Sequence, residues 1–297
     1  MQDTYPVLTI QPEDILDDES LGTKPKFWFL RDGQRWLFKE ARENTGEDWA
    51  EKLAAEIAAK LDIPAAFVML ASFQGKAGSA SLSFLDPEKR SIHLIHGNEI
   101  LAGQVFGYDK DKRHGQSEHA LENIEFAIRK LFPVPEHHEA VLTQLATYLV
   151  LDGLIGNVDR HHENWGLLSR FTEQAWEISV APSYDHASSL GRELHDAKRR
   201  SILANNRMEQ YIRKGRGGIY LSSKYGHGAN PLRLVEFGAR WWPGYFAPTL
   251  DRVVQIPVKE LLALIDRVPI DRMSFVARSF AKAFLTYTHS SLCTLNP

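Results

Sequence analysis

Residues 154–168 read LIGNVDRHHENWGLL, and residues 182–191 read PSYDHASSLG. The first run sets Asn157, Asp159, Arg160, His161, His162, Glu163 and Asn164 directly after a long apolar stretch. An element end of this kind is where functional groups collect. Taken alone, the run reads equally as a solvated loop with helix-capping Asn and Asp. Its spacing points further. Asp159 and Asn164 stand five positions apart, the separation found in phosphoryl-transfer loops. There the Asp accepts the substrate hydroxyl proton and the Asn oxygen holds Mg²⁺. Asp185, beyond a predicted hairpin, takes the place of the second acid that coordinates the metal bridging the nucleotide phosphates.

Working outward, the hairpin is WGLLSR and AWEISV around 171–174, and a long apolar helix is predicted over Glu136–Leu154. Near the N-terminus, LGTKPKFWFL and QRWLFKEA flank Asp32-Gly33, the strongest short hairpin signal. The second of these strands delivers Lys39 just before a helix over Glu47–Leu61, which carries Glu51 and Glu56 and is closed by Pro64. A strand lysine steadied by a helical carboxylate suits phosphate contact. Phe67–Ser72 and Ser79–Leu85 read as strands around a turn at Gly75–Gly78, and residues 1–20 as a lead-in or short edge strand. Asn123–Phe132, Leu232–Trp241, Val258–Val268 and Ile270–Tyr287 read as helices. A basic, Gly-rich patch over 211–228 holds Arg213, Lys214, Arg216 and Lys224 and reads as an acceptor-binding surface or as a solvated loop.

Composition bounds the rest. The chain of 297 residues is 43% hydrophobic and 25% charged, so disordered and collagen-like classes are excluded. This length fits two domains or one bilobed unit. Net charge is −3, which predicts no bulk attraction to nucleic acid or anionic membrane. Cys293 is the only cysteine, so intrachain disulfides and Cys-based metal sites are excluded. The N-terminus lacks a secretory pattern, and Leu145–Gly156 is too short for a bilayer and contains Asp152, so a cytoplasmic protein is expected. No H-E-x-x-H, P-C-x-x-C, G-x-S-x-G, P-loop or Rossmann fingerprint occurs. His137 and His138 are expected to be exposed near a helix start.

LIGNVDRHHENWGLL followed by PSYDHASSLG resembles the C-terminal region of the HipA-like serine/threonine kinases, relatives of the phosphatidylinositol-kinase fold. LGTKPKFWF is similar to that family's phosphate-loop segment, and the resemblance runs from about residue 19 to at least 240. It implies an α+β, bilobed protein-kinase-like fold. The N-lobe of residues 1–88 would be small and β-rich with one main helix, and the C-lobe of 89–297 mostly helical. It further implies Asp159 as catalytic aspartate, Asn164 and Asp185 as Mg²⁺ ligands and Lys39 as the nucleotide lysine. Gly22, Thr23 and Lys24 would lie on the phosphates, and Ser83, Phe84 and Leu85 at the adenine hinge beside Val68 and Leu82. His161 would support the loop, and Asn157 would cap it. The partner of Lys39 stays open: counting back from Pro64 favours Glu51, while the helical wheel favours Glu56.

The implied activity is ATP- and Mg²⁺-dependent transfer to Ser or Thr of a protein, as in the toxin half of bacterial toxin–antitoxin systems. A small-molecule or lipid kinase, or a nucleotide-binding pseudokinase, are the alternatives. Ser20 resembles an inhibitory autophosphorylation position. Larger members carry a long segment ahead of the phosphate loop, whereas residues 1–21 precede it here. The expectation is a stripped core that a small antitoxin or N-lobe-completing partner would complement. His186 stands where protein kinases have Gly in Asp-Phe-Gly, so no flip of that segment is assumed.

Overall fold

The computed structural model describes residues 3–18, 25–85, 92–172 and 175–295. The chain folds as an α+β protein made of two compact units, and neither is a single run of sequence. One unit takes Met1–Asp86, Asp185–Glu209 and Ile256–Tyr287; the other takes Pro87–Tyr184, Gln210–Gln255 and Thr288–Pro297.

In chain order the first unit opens with β1 (Val7–Ile10), β2 (Ile15–Asp18), β3 (Lys26–Arg31), β4 (Gln34–Glu40), α1 (Glu47–Lys60), β5 (Val68–Phe73) and β6 (Lys76–Leu82). The second contributes β7 (Ile92–His96), α2 (Gly97–Gln104), α3 (Leu121–Leu131), α4 (Pro135–Ile155), β8 (Gly166–Phe171) and β9 (Trp176–Val180). The remaining elements are α5 (Asp196–Ala204), α6 (Met208–Lys214), α7 (Pro231–Trp241), α8 (Pro243–Gln255), α9 (Val258–Asp266) and α10 (Phe275–Cys293).

The sheet of the first unit runs β1-β5-β6-β4-β3-β2, antiparallel throughout except for the parallel pair β1–β5. Two hairpins set its register. At both turns the two central residues lie at positive φ: Asp32 (50°) with Gly33 (72°), and Gln74 (47°) with Gly75 (78°). Such turns match the twist of the flanking strands. The second turn therefore sits ahead of the predicted Gly75–Gly78, and β6 begins at Lys76 and ends at Leu82, with Ser83–Leu85 beyond it. Gly78 is needed inside β6, because a Cβ there would lie 2.4 Å from Lys39 O. Leu8, Ile10, Phe27, Phe29, Trp36, Phe38, Ala71 and Ala80 bury one face of this sheet. Each such large side chain removed from water contributes on the order of 1.5–3 kcal/mol.

Helix α1 packs on β5 and β6 and against α9. It is buried on nearly every side, Glu47, Asp48, Glu51 and Lys52 included. In the second unit, α4 packs against α7 and α8, beside the sheet β7-β8-β9. Strand β7 and helices α2, α5, α6 and α8 are not among the elements expected from the sequence. Among the described residues no helix is long and apolar enough to cross a membrane.

Candidate active site

The polar run 157–164 belongs to the second unit. Helix α4 ends on Gly156 in the left-handed region (φ 67°), the usual way a helix releases its chain. On the last turn of α4, Asp152 is buried and forks to Arg160: Nε lies 2.7 Å from Oδ2 and one terminal nitrogen 2.8 Å from Oδ1. The same guanidinium donates to Asn164 O at 2.6 Å and to Ser183 Oγ at 2.9 Å. Burial by itself lowers the Arg160 pKa, but the Asp152 charge outweighs this and the net shift is upward, so Arg160 stays charged.

Asn157 donates to Asp152 Oδ1 at 2.9 Å and accepts the Asp159 N–H at 3.1 Å, a bond that holds the loop as capping does. Asn164 Nδ2 donates to Asp159 O at 2.7 Å, which joins the loop's two key residues and leaves Oδ1 as the end able to ligate a cation. His161 Nδ1 accepts the Glu163 N–H at 3.2 Å. Asp159 is half-exposed in a loop whose other members are mostly buried. The loop also terminates α2, whose first N–H groups donate to Trp165 O (2.9 Å) and His162 O (3.0 Å). From the loop the segment 181–184 is held by Tyr148 on Ala181 O (2.8 Å) and by Tyr184 Oη on Glu163 O (2.7 Å). The next residue is Asp185.

Asp185 belongs to the first unit. Its backbone is left-handed (φ 60°), an uncommon state for a non-glycine residue that clusters at working sites. The positive φ thus falls on Asp185 itself, one residue before the His that stands in the glycine position. Lys39, near the end of β4, places Nζ 2.9 Å from Asp185 Oδ1. Lys26 pairs across the sheet with Lys39, and Glu40 N donates to Pro25 O at 3.1 Å, so the chain leaving the predicted phosphate loop runs beside this lysine. Gly22, Thr23, Lys24 and Ser20 lie outside the described residues.

The two helical glutamates part company. Glu51 is 2% exposed; its Oε1 accepts the His186 N–H at 3.0 Å, and its Oε2 is buried without a hydrogen bond. Glu56 is spent on Lys52 (2.5 Å) and Arg267 (4.0 Å). Only Glu51 thus shares the surroundings of Asp185. The first turn of α1 reinforces this. Glu47 binds Arg192 at 2.7 Å, Gly46 N donates to Arg192 O at 2.9 Å, and Asp48 binds Arg272 at 2.8 Å. Burial raises the Asp48 pKa, a rise that Arg272 opposes.

Ser83 N donates to Arg35 O, and Ser83 Oγ bonds both the N–H (3.1 Å) and the carbonyl (2.8 Å) of Leu85, making a turn in which Ser83, Phe84 and Leu85 are half-buried. Val68 is buried in β5, and Leu82 ends β6 opposite Trp36. In the basic patch, Arg213 bonds Glu236, and Arg216 donates to the carbonyls of residues 213–215. His137 is exposed, but His138 is not: it is buried between Phe132 O (2.9 Å) and Arg129 (2.6 Å), because α4 begins at Pro135 and packs against α3. Among the described residues no group of three or more His, Cys, Asp or Glu is arranged to hold a metal. The residue missed in the sequence is Asp152. Its signal was an acid on an otherwise apolar helix end, eight positions before an Arg.

A family model described as HipA-like C-terminal domain matches residues 20–217. No curated protein sequence matches. Among solved structures, the Helicobacter pylori proinflammatory kinase CtkA is similar with a TM-score of 0.78 at 17% identity, covering 98% of this chain and 97% of that one. HipA of the Shewanella oneidensis MR-1 toxin–antitoxin system, solved with HipB and operator DNA, is similar at 0.59 and 13% identity, covering 98% and 67%. At these identities the likeness is one of fold, and that fold is kinase-like.

Proposed function

This chain belongs to the HipA-like C-terminal domain family, and on that premise we propose that it is a kinase that uses ATP and Mg²⁺ to phosphorylate a Ser or Thr of a protein. The observation that carries the reading is the Lys39–Asp185 ion pair at 2.9 Å, between a strand lysine and an acid one peptide bond beyond the segment tied to the Asp159–Asn164 loop. The donor set fits the group it would hold. Asn164 Oδ1 and the Asp185 carboxylate are hard oxygens of the kind Mg²⁺ prefers. When bound, ATP supplies the phosphoryl group and Mg²⁺ neutralises charge developing on its oxygens.

The protein's own share is positioning and proton handling. Asp159 accepts the acceptor hydroxyl proton. Lys39 contacts phosphate oxygens as a point charge, and Glu51 steadies the Asp185–His186 backbone from which Lys39 takes its partner. Gly22, Thr23 and Lys24 are the residues that would bind the phosphates, and Ser83, Phe84 and Leu85 those that would take the adenine. His161 keeps the loop in shape. Residues 1–88 are proposed as the N-lobe and 89–297 as the C-lobe, a division along the sequence that the compact units cross at Asp185–Glu209 and Ile256–Tyr287. HipA was solved with HipB, and a small antitoxin of that kind is the partner proposed here, for an enzyme working in the cytoplasm.

The glutamates give a direct check. Glu51→Ala and Lys39→Ala are each expected to weaken ATP binding at least about tenfold, roughly 1.4 kcal/mol. Glu56→Ala should stay within about twofold, read by isothermal titration. Equal effects of the two glutamates would remove Glu51 from its role. The function itself is tested by incubating wild type and Asp185→Asn with γ-labelled ATP, Mg²⁺ and a bacterial lysate. Label in protein Ser or Thr, absent with the variant, is the expected result. Label in lipid or small molecules, or no transfer by the wild type, overturns the reading.

A further inference from the structure

Within the second unit, a chain of contacts leads away from the 157–164 loop that phosphoryl transfer itself does not require. It starts at Trp165, next to Asn164. The indole Nε1–H donates to His119 Nε2 at 3.1 Å. An imidazole nitrogen that accepts carries no proton, so the proton of His119 is on Nδ1. Nδ1 lies 2.9 Å from Gly218 O, to which it donates. The His119 and Trp165 rings are parallel within 5°. Burial of His119 pushes its pKa down to about 3, and the neighbouring His162 and His161 oppose a proton further, so the neutral form with both bonds persists at ordinary pH.

Gly218 is the other end of the chain. A Cβ built there would lie 2.8 Å from Arg160 O, 2.9 Å from Arg160 C and 3.0 Å from His161 N. Its α-carbon is therefore set directly against the peptide that joins Arg160 to His161, one residue past Asp159. Two further bonds lock the glycine's own segment to that of His119: Tyr220 N donates to His119 O at 2.9 Å, and Leu121 N donates to Tyr220 O at 3.1 Å. Gly217 N donates to Ala229 O at 2.7 Å. Part of the Gly-rich patch thus serves as a rigid backing for the loop.

The geometry points to His119 and Gly218 as positioning residues for phosphoryl transfer. A neutral imidazole, held from one side by Trp165, fixes the Gly218 backbone by its carbonyl where it abuts the Arg160–His161 peptide, and so sets Asp159 relative to Asn164. This inference rests on the kinase reading of the loop. A histidine that only filled space would tolerate any side chain of similar volume. A relay needs one donor and one acceptor at fixed places, which Gln can supply and Leu cannot.

The test uses the full chain as wild type, His119→Gln, His119→Leu and Gly218→Ala. The readouts are kcat and KM for ATP, and amide hydrogen exchange of the 157–165 segment by mass spectrometry. His119→Leu and Gly218→Ala should lower kcat at least about tenfold with KM for ATP within about twofold, since small misplacement of a catalytic group is costly. The same two variants should speed exchange in 157–165, and His119→Gln should restore both. If His119→Leu does not fold, His119→Gln against Gly218→Ala carries the contrast. The inference falls if folded His119→Leu or Gly218→Ala keeps wild-type kcat and exchange. It falls equally if kcat drops together with protection across the whole chain, or if Gln is as damaging as Leu. A wild type that transfers no phosphate removes the kinase reading, and exchange in 157–165 still decides whether the relay holds the loop.

Discussion

Asp159→Asn is expected to slow phosphoryl transfer by a factor of roughly 10²–10⁴, the usual contribution of a positioned general base. The fold should not notice. Asp159 is fixed in its loop by main-chain atoms: its N–H is accepted by Asn157 at 3.1 Å, and its carbonyl accepts from Asn164 at 2.7 Å. Asn keeps both and matches the carboxylate in shape, while losing its ability to take up a proton. Nucleotide affinity should therefore change by less than about threefold, under roughly 0.7 kcal/mol. Single-turnover kinetics beside a binding titration separates the two effects. An Asp159→Asn enzyme with wild-type turnover would show that the proton goes elsewhere.

Asp152→Ala is the largest stability effect expected. It strips Arg160 of two hydrogen bonds and its counter-charge and leaves a fully buried guanidinium with neutral partners only. Breaking a buried pair on one side costs about 3–5 kcal/mol. That corresponds to a fall in Tm of roughly 6–20 °C, measurable by calorimetry. The cost comes mainly from the orphaned charge, so Asp152→Ala with Arg160→Met should be more stable than Asp152→Ala alone. A double variant no better than the single one would place the loss in α4 packing instead. Arg160→Lys should not preserve the fork, because an ammonium cannot reach both carboxylate oxygens and the Asn164 carbonyl in one plane.

What could be read in advance was local. Asp32-Gly33 announced its hairpin because residues that accept positive φ are few; at the second turn Gly75 was legible but Gln74 was not, because Gln is not among them, so the turn was expected one residue late. Helix α8 was hidden by its prolines: Pro243 is at home in a first turn, but Pro248 lies inside the helix, where proline ordinarily argues against one. The helical wheel pointed to Glu56 because it assumes one buried stripe. Helix α1 is enclosed almost all round, so its buried acids are held by arginines from remote parts of the chain, Arg192 and Arg272. Asp159, Asn164, Lys39 and Asp185 stood out by type and order. The Asp152 fork and the Gly218 backing depend on which segments meet, and spacing along the chain does not encode that.

The three-part make-up of the first unit has a consequence for biosynthesis. Its sheet leaves the ribosome first, but its final segment ends at Tyr287. At a translation rate of 5–20 residues per second, the interval between residue 86 and residue 287 is roughly 10–40 s. Through that interval the acids of α1 are in being without Arg192 for part of the time and without Arg272 for nearly all of it. A nascent chain in this state is a natural client for chaperones, and a premature stop after residue 255 would harm the part of the protein that was made earliest.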